Sequence, residues 1–344
     1  MVTIESVLSK KNQALALENM RIKLNGGGKD RNPMVEFTEF IEINKDRIRE
    51  EIISCNYEPG LIQEYEIING KGKKRTVIKM NDIDRYITRL LAQKMSAFFN
   101  QMFLENSFAY QNDKGILKAA EKARDYIENN NEYVVEIDIK CFFDEIPIEG
   151  ILNKVKEHIK DKAVIDLLQK YLYCTVARDG NTYVKKKGIL QGASISPVLS
   201  NLYLHNLDVY MESKGYNWVR FADNIYIYVD SMELGFRFFS DICTRLKNEF
   251  SLQYNESKSG VFDVYERWML GYEFRKRCKK IIVEKHIYQP KSYYHEWHPC
   301  VVQKVNKEYH ITKAGIMNSK VLLILMMMEY AYIRQILLLR LASK

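Results

Sequence analysis

The sequence predicts an α+β fold built around an antiparallel sheet, and three observations carry that expectation. "VRFADNIYIYV", residues 219–229, is an apolar strand, a polar dipeptide and a second apolar strand, the pattern of a hairpin inside a sheet covered by helices. "YVVEIDIKCFF", residues 133–143, places Val135, Ile137 and Ile139 on one face and Glu136, Asp138 and Lys140 on the other. Amphipathic stretches of helical period are interspersed with these strands, and no internal repeat is present.

The elements follow in order. Residues 5–24 read as a helix that Asn25-Gly26-Gly27-Gly28 stops, and a second amphipathic helix runs from Val35 to Cys55 before Pro59-Gly60 turns the chain. "EYEIINGKGKKRTVIKM", residues 64–80, is two alternating strands around a turn bearing Lys71, Lys73, Lys74 and Arg75. Four positive charges there suit either a phosphate contact or a solvated turn. Residues 82–104 and 113–129 read as helices, and 133–143 as a strand. Pro147 opens a helix with apolar Ile151, Leu152, Val155 and Ile159. A basic hairpin ends in Tyr183-Val184-Lys185-Lys186-Lys187. "GILQGASISPVLSNLYLHNLDVYM", residues 188–211, is a loop of small residues leading into a long helix behind Pro197. After the 219–229 hairpin come a helix over 233–250, a turn bearing Lys258 and a strand pair in "WMLGYEFRKRCKKIIVEK".

Length and composition bound the rest. A chain of 344 residues corresponds to about two domains of roughly 150 residues. The net charge of +8 suits an anionic partner without demanding one. Six cysteines, at positions 55, 141, 174, 243, 278 and 300, form no CxxC pair, and the start "MVTIESVLSKKNQ" lacks a basic-then-apolar signal pattern. These features lead us to expect a cytoplasmic protein. Residues 321–341 are very apolar, yet Glu329, Arg334 and Arg340 interrupt them, so no membrane span is predicted.

Two carboxylates carry the chemistry. Asp138 lies in an otherwise apolar strand, where an ionised group is costly unless paired or bound to a cation. Asp223 and Asn224 form the junction of the 219–229 hairpin, a position that suits a rigidly aimed metal ligand and equally an ordinary tight turn. Carboxylates converging on one point are what two divalent ions need to activate a hydroxyl nucleophile and stabilise leaving pyrophosphate. The reading is nucleotidyl transfer, a reaction whose catalysis is almost entirely positioning and charge stabilisation.

Taken in order, the motifs resemble those of reverse transcriptases of the bacterial group II intron-like lineage, over about residues 20–275. "KLNGGGKD" is similar to that family's N-terminal extension motif, "GKGKKRTV" to its fingers hairpin, "FLENSFAYQNDKG" to its second block and "DIKCFFDEIP" to its first catalytic motif. "GILQGASISPVLSNLYL" resembles its dNTP-site loop, "RFADNIYIYV" stands at its Tyr-x-Asp-Asp turn, "LQYNESKSG" matches its lysine motif and "MLGYEF" its primer grip. The resemblance implies a right-hand polymerase with fingers, an antiparallel palm sheet and a reduced or incomplete thumb. It implies RNA-directed DNA synthesis from an RNA template, a DNA or RNA primer and dNTPs, with two Mg²⁺ ions or Mn²⁺ in their place. Asp138 and Asp223 would be the metal ligands, and Phe143 the steric gate against a 2′-hydroxyl. Lys73 and Arg75 would hold the triphosphate, Gln191 and Gly192 would line the nucleotide pocket, and Lys258 would assist pyrophosphate departure.

The sequence departs from that pattern at three places. Asn224 replaces the second Asp of the turn, "YQNDKG" lacks the usual arginine-rich form, and the region after residue 275 does not resemble the helical thumb of intron-encoded enzymes. His295, His298 and Cys300 have ligand-like spacing without an evident fourth ligand. "KEYHITKAGIMNSK", residues 307–320, is weakly similar to the opening strands of the CRISPR adaptation integrase subunit, so spacer acquisition with integrase partners is the expected setting. The expected divisions are an N-terminal extension (1–35), fingers (36–132), palm (133–275, with a helix and basic hairpin insertion at 144–187), a connector, thumb or integrase start (276–320) and an atypical apolar tail (321–344). That tail reads either as a closing amphipathic helix or as a frameshifted remnant of a fused domain. An antiphage or free-standing enzyme, and a catalytically silent nucleic-acid-binding scaffold, are the rival readings.

Overall fold

A computed structural model of the chain describes residues 1–20, 33–68, 74–277, 280–285, 302–305 and 308–311. Two compact units divide it, one of Met1–Ile67 and Lys74–His286, the other of Ile68–Lys73 and Ile287–Lys344. In chain order the strands of the first are β1 (Ile62–Ile68), β2 (Lys74–Lys79), β3 (Tyr133–Asp138), β4 (Thr175–Arg178), β5 (Asn181–Val184), β6 (Asn217–Phe221), β7 (Asn224–Val229), β8 (Gly260–Asp263), β9 (Trp268–Met269), β10 (Tyr272–Arg277) and β11 (Lys280–Lys285). In the second, β12 (Val302–Val305) pairs antiparallel with β13 (Glu308–Ile311).

The alternation of β3 places it at the heart of an antiparallel sheet of order β6-β7-β3-β8. Its register with β7 sets Val135 opposite Ile227, Ile137 opposite Ile225 and Asp138 opposite Asn224. Val135, Ile137, Ile225, Ile227 and Val229 bury one face against the helices Ser196–Ser213 and Met232–Asn248. Val134, Tyr226 and Tyr228 pack on the other, where Ala119, Ala120, Ala123 and Ile127 of the helix Ile116–Glu128 cover them. A two-residue period thus sorts one strand into two cores. The polar ends of β3 and β7 are left at one edge of that sandwich.

A second sheet, β2-β1-β4-β5, contains a parallel pair in which Ile62 of β1 lies opposite Val176 of β4. Asp84 ties the surrounding chain together. Fully buried, it accepts 2.8 Å bonds from the hydroxyls of Tyr57 and Tyr171, a 2.9 Å bond from the Gly60 N–H and a 2.6 Å bond from the Asn81 amide. Asn81 also caps the helix Asp82–Phe99 by accepting from the Asp84 N–H.

Several elements differ from the sequence reading. The expected helix over 5–24 breaks into Ile4–Val7 and Lys10–Glu18. Thr3 and Ser6 form a capping box around the first piece, and the buried Asn12 amide donates to the carbonyls of Val7 and Leu90. The strand expected to reach Phe143 ends at Asp138, because Cys141 turns left-handed at φ 48° and opens the short helix Phe142–Glu145. A helix that the sequence reading passed over, Lys162–Leu172, is capped by Asp161, which accepts from the Val164 N–H. The "KLNGGGKD" motif, His295, His298, Cys300 and the 321–344 tail lie outside the described residues. No helix among the described residues is long and apolar enough to cross a membrane.

Candidate active site

The hairpin between β6 and β7 turns through two residues, Ala222 and Asp223, while Asn224 begins β7 and pairs across to Phe221. The turn therefore sits one residue earlier than the Asp223-Asn224 junction read from the sequence. Ala222 takes the positive φ, 56°, that tight hairpin turns require at a central position. Asp223 rides at the tip, and its carbonyl accepts a 3.1 Å bond from the Ile139 N–H. That bond fastens the turn to the residue after Asp138. The Asn224 amide donates 3.2 Å to Oδ1 of Asp223.

Asp138 is held from its other flank by residues 253–259. Its backbone N–H donates 3.0 Å to Ser259 Oγ, its carbonyl accepts 2.8 Å from the Asn255 N–H, and Lys140 N–H reaches the Gln253 carbonyl at 2.7 Å. Lys258 is carried on this segment. Its ammonium spans both Asp138 carboxylate oxygens at 3.0 and 2.8 Å, with the Asp138 side chain only 15% exposed. Asp138, Asp223, Asn224 and Lys258 thus meet at one end of the sheet. Deeper on the same face, Glu136 takes two bonds from Arg267, 3.0 and 2.6 Å. Burial raises its carboxyl above the usual range although Arg267 opposes the shift. Burial, reinforced by the Glu136, Asp138 and Asp223 charges, pushes the Tyr226 phenol far up, so it stays protonated.

Phe143, five residues after Asp138, is joined to the loop that carries Gln191 and Gly192 by backbone bonds. The Gly188 N–H bonds to the Ile146 carbonyl at 2.8 Å, and the Ile189 N–H to the Phe143 carbonyl at 2.7 Å. Only glycine fits at 188, where φ is +80° and a Cβ would stand 2.7 Å from the Asp144 carbonyl oxygen. Gln191 then donates 3.4 Å to Asp144, and its carbonyl accepts 3.2 Å from the Ile78 N–H of β2. That bond docks the strand carrying Arg75 on the loop. Of Arg75 only the backbone is described, and Lys73 lies outside the described residues. Lys185 follows the return strand of the basic hairpin, as expected, but it is buried, its ammonium 3.8 Å from the buried Glu64.

Sequence reasoning missed the support beneath the turn. Arg220 and Asp208 are both fully buried, with guanidinium–carboxylate bonds of 2.7 and 2.5 Å. The remaining guanidinium hydrogens reach Asn201 Oδ1, the Ala222 carbonyl and Ser107 Oγ, each at 3.0 Å. All five donors are therefore used. One of them holds the residue before Asp223. The available signals were an arginine inside "WVRF" and an aspartate inside the apolar "LHNLDVYM".

Hard carboxylate oxygens are the donor set Mg²⁺ takes, which it completes with water and substrate phosphate. The residues fit a divalent cation on a further observation, since the Lys258 ammonium already lies across both oxygens of Asp138. Among the described residues no group of three or more His, Cys, Asp or Glu side chains is placed to hold a metal. Asp138 and Asp223 would be its protein ligands.

The mixed helix and sheet architecture is consistent with an α+β polymerase fold. The chain belongs to the reverse transcriptase (RNA-dependent DNA polymerase) family, which it matches over residues 64–274. Lys73, Arg75, Asp138, Phe143, Gln191, Gly192, Asp223, Asn224 and Lys258 all fall in that span. It is 29% identical over 154 residues to the putative COX1/OXI3 intron 2 protein of Saccharomyces cerevisiae, covering 44% of this chain and 18% of that protein. It is 25% identical over 171 residues to protein YkfC of Escherichia coli, covering 48% and 45%. The group II intron-encoded protein LtrA of Lactococcus lactis subsp. cremoris is 33% identical over 79 residues, 23% of this chain and 13% of that protein. The matches span less than half the length of each relative.

Proposed function

We propose that the protein is an RNA-directed DNA polymerase whose nucleotidyl transfer is centred on Asp138 and Asp223. The observation that carries the reading is the β3–β7 register, which with the Ile139–Asp223 backbone bond brings the two carboxylates to one sheet end inside the family match. Two divalent ions, Mg²⁺ or Mn²⁺, would supply hydroxyl activation and charge neutralisation there. The chain's own part is positional. The Gly188–Gly192 loop sets its backbone against Phe143, whose ring serves as the gate that excludes a 2′-hydroxyl. Lys73 and Arg75 neutralise the triphosphate as charge-assisted donors. Lys258 is the proton-bearing group for departing pyrophosphate. Extension of a primer on a defined RNA template, with the product sequenced as complementary DNA, tests this reading. Absence of product while primer–template binds would leave a silent scaffold, expected to bind RNA in a salt-sensitive manner.

The setting we favour is spacer acquisition from RNA, in the cytoplasm, with CRISPR adaptation integrase subunits as partners. Its support is the resemblance of residues 307–320 to the integrase opening strands. A free-standing or antiphage group II intron-like enzyme is the second reading, favoured by the intron proteins among the relatives. Neighbouring genes separate them: a CRISPR array with adaptation genes supports the first, intron RNA ends or a lone defence cassette the second.

A further inference from the structure

Asn224 stands directly across from Asp138 in the β3–β7 register and beside Asp223 in the chain, so its side chain is adjacent to both carboxylates. Side chains directly opposite in an antiparallel pair have Cβ atoms about 4.5–5.5 Å apart, and like charges there destabilise the pair. An aspartate at 224 would bring a third anion to this sheet end. The amide does the reverse: it adds no charge, and its N–H holds Oδ1 of Asp223 at 3.2 Å. On the opposite flank the Lys258 ammonium covers Asp138 at 3.0 and 2.8 Å. Each carboxylate of the pair has a donor orienting it.

We infer that Asn224 is a positioning residue that orients Asp223 within the carboxylate pair, in exchange for weaker divalent-cation affinity than a second turn aspartate would give. The inference rests on the reading of Asp138 and Asp223 as the metal pair. Affinity in oxygen-donor sites is tuned by ligand charge count and by rigidity, and Asn224 acts on both in opposite directions. Its charge neutrality weakens attraction for the ion, and its hydrogen bond removes the ordering that the ion would otherwise impose.

Titration with Mn²⁺, counting free ion by electron paramagnetic resonance, separates the two effects without reference to polymerisation. Asn224→Asp is expected to bind Mn²⁺ about tenfold tighter than the parent. It should melt about 2–4 °C lower in EDTA and recover when Mn²⁺ is added. Asn224→Ala keeps the charge and loses the hydrogen bond, so it is expected to bind Mn²⁺ about threefold more weakly. Equal Mn²⁺ affinity in parent and Asn224→Asp would overturn the charge argument, and equal affinity in parent and Asn224→Ala would overturn the orienting role. Binding that survives both Asp138→Ala and Asp223→Ala would remove the metal-pair reading and this inference with it. Primer extension that fails while the titrations behave as expected would strike the polymerase reading alone.

Discussion

Replacing Arg220 by methionine tests whether the turn carrying Asp223 is held from below. Arg220 and Asp208 are both 0% exposed, so the substitution strands a carboxylate in the interior. Breaking a buried pair in this way costs about 3–5 kcal/mol. Asn201 Oδ1, Ser107 Oγ and the Ala222 carbonyl each lose a donor as well, at about 1 kcal/mol or more where no water replaces it. These contributions overlap, and a loss of at least about 4 kcal/mol is expected against a total stability of about 5–15 kcal/mol. The double variant Arg220→Met/Asp208→Leu removes both charges together and should recover more than half of the loss. Urea unfolding followed by tryptophan fluorescence reads both numbers, since Trp218 is buried two residues away on the same strand. A single-variant loss below about 1 kcal/mol, or a double variant no more stable than the single, would refute the reasoning.

Three further outcomes follow from the Phe143–Gly192 side of the site. Gly188→Ala puts a Cβ 2.7–2.9 Å from the Phe143 and Asp144 backbone at a left-handed φ, so stability should fall by about 2–4 kcal/mol in the same unfolding assay. Burial raises the Asp144 carboxyl above its ordinary value, with Glu64 and Glu145 adding to the shift and Lys185 and Arg178 opposing it. A carboxyl raised on folding lends stability that is fully present below its unfolded value near ~3.9 and is lost as pH climbs through the folded one. Asp144→Asn, which still offers Gln191 an acceptor, should therefore gain melting temperature relative to the parent at pH 7 over its gain at pH 4; the opposite trend would contradict the assigned direction. Phe143→Val should admit ribonucleotides, raising rNTP over dNTP incorporation at least about tenfold, a factor worth ~1.4 kcal/mol of discrimination; unchanged selectivity would remove the gate role.

How much of this was legible in the sequence depended on the range of each interaction. Asp138 stood out because a carboxylate in an apolar strand needs a partner, and its strand alternation carried directly into the two cores. The small residues of the 188–192 loop were legible in composition, but the close approach of Gly188 to the Phe143 and Asp144 backbone was not. The hairpin turn was legible as a turn, but its exact position was not: Ala222 rather than Asn224 occupies the turn with Asp223, a choice set by pairing between Phe221 and Asn224. Arg220 was not legible as a support, since its partners lie 12, 19 and 113 residues away. Lys185 was legible as part of a basic hairpin but not as a buried residue, and its burial with Glu64 arises from the pairing of β1 with β4, which joins chain segments far apart in sequence.

The most direct test of the central claim, that Asp138 and Asp223 are the chemical centre of a reverse transcriptase, is incorporation of labelled dTTP on a poly(rA) template with an oligo(dT) primer. It is run in Mg²⁺ and in Mn²⁺, for the parent and for Asp223→Ala. Incorporation by the parent that vanishes in Asp223→Ala is the predicted result, and it would show that an Asp-Asn turn suffices. Silence of the parent in both metals with primer–template bound, or undiminished incorporation by Asp223→Ala, would contradict the account.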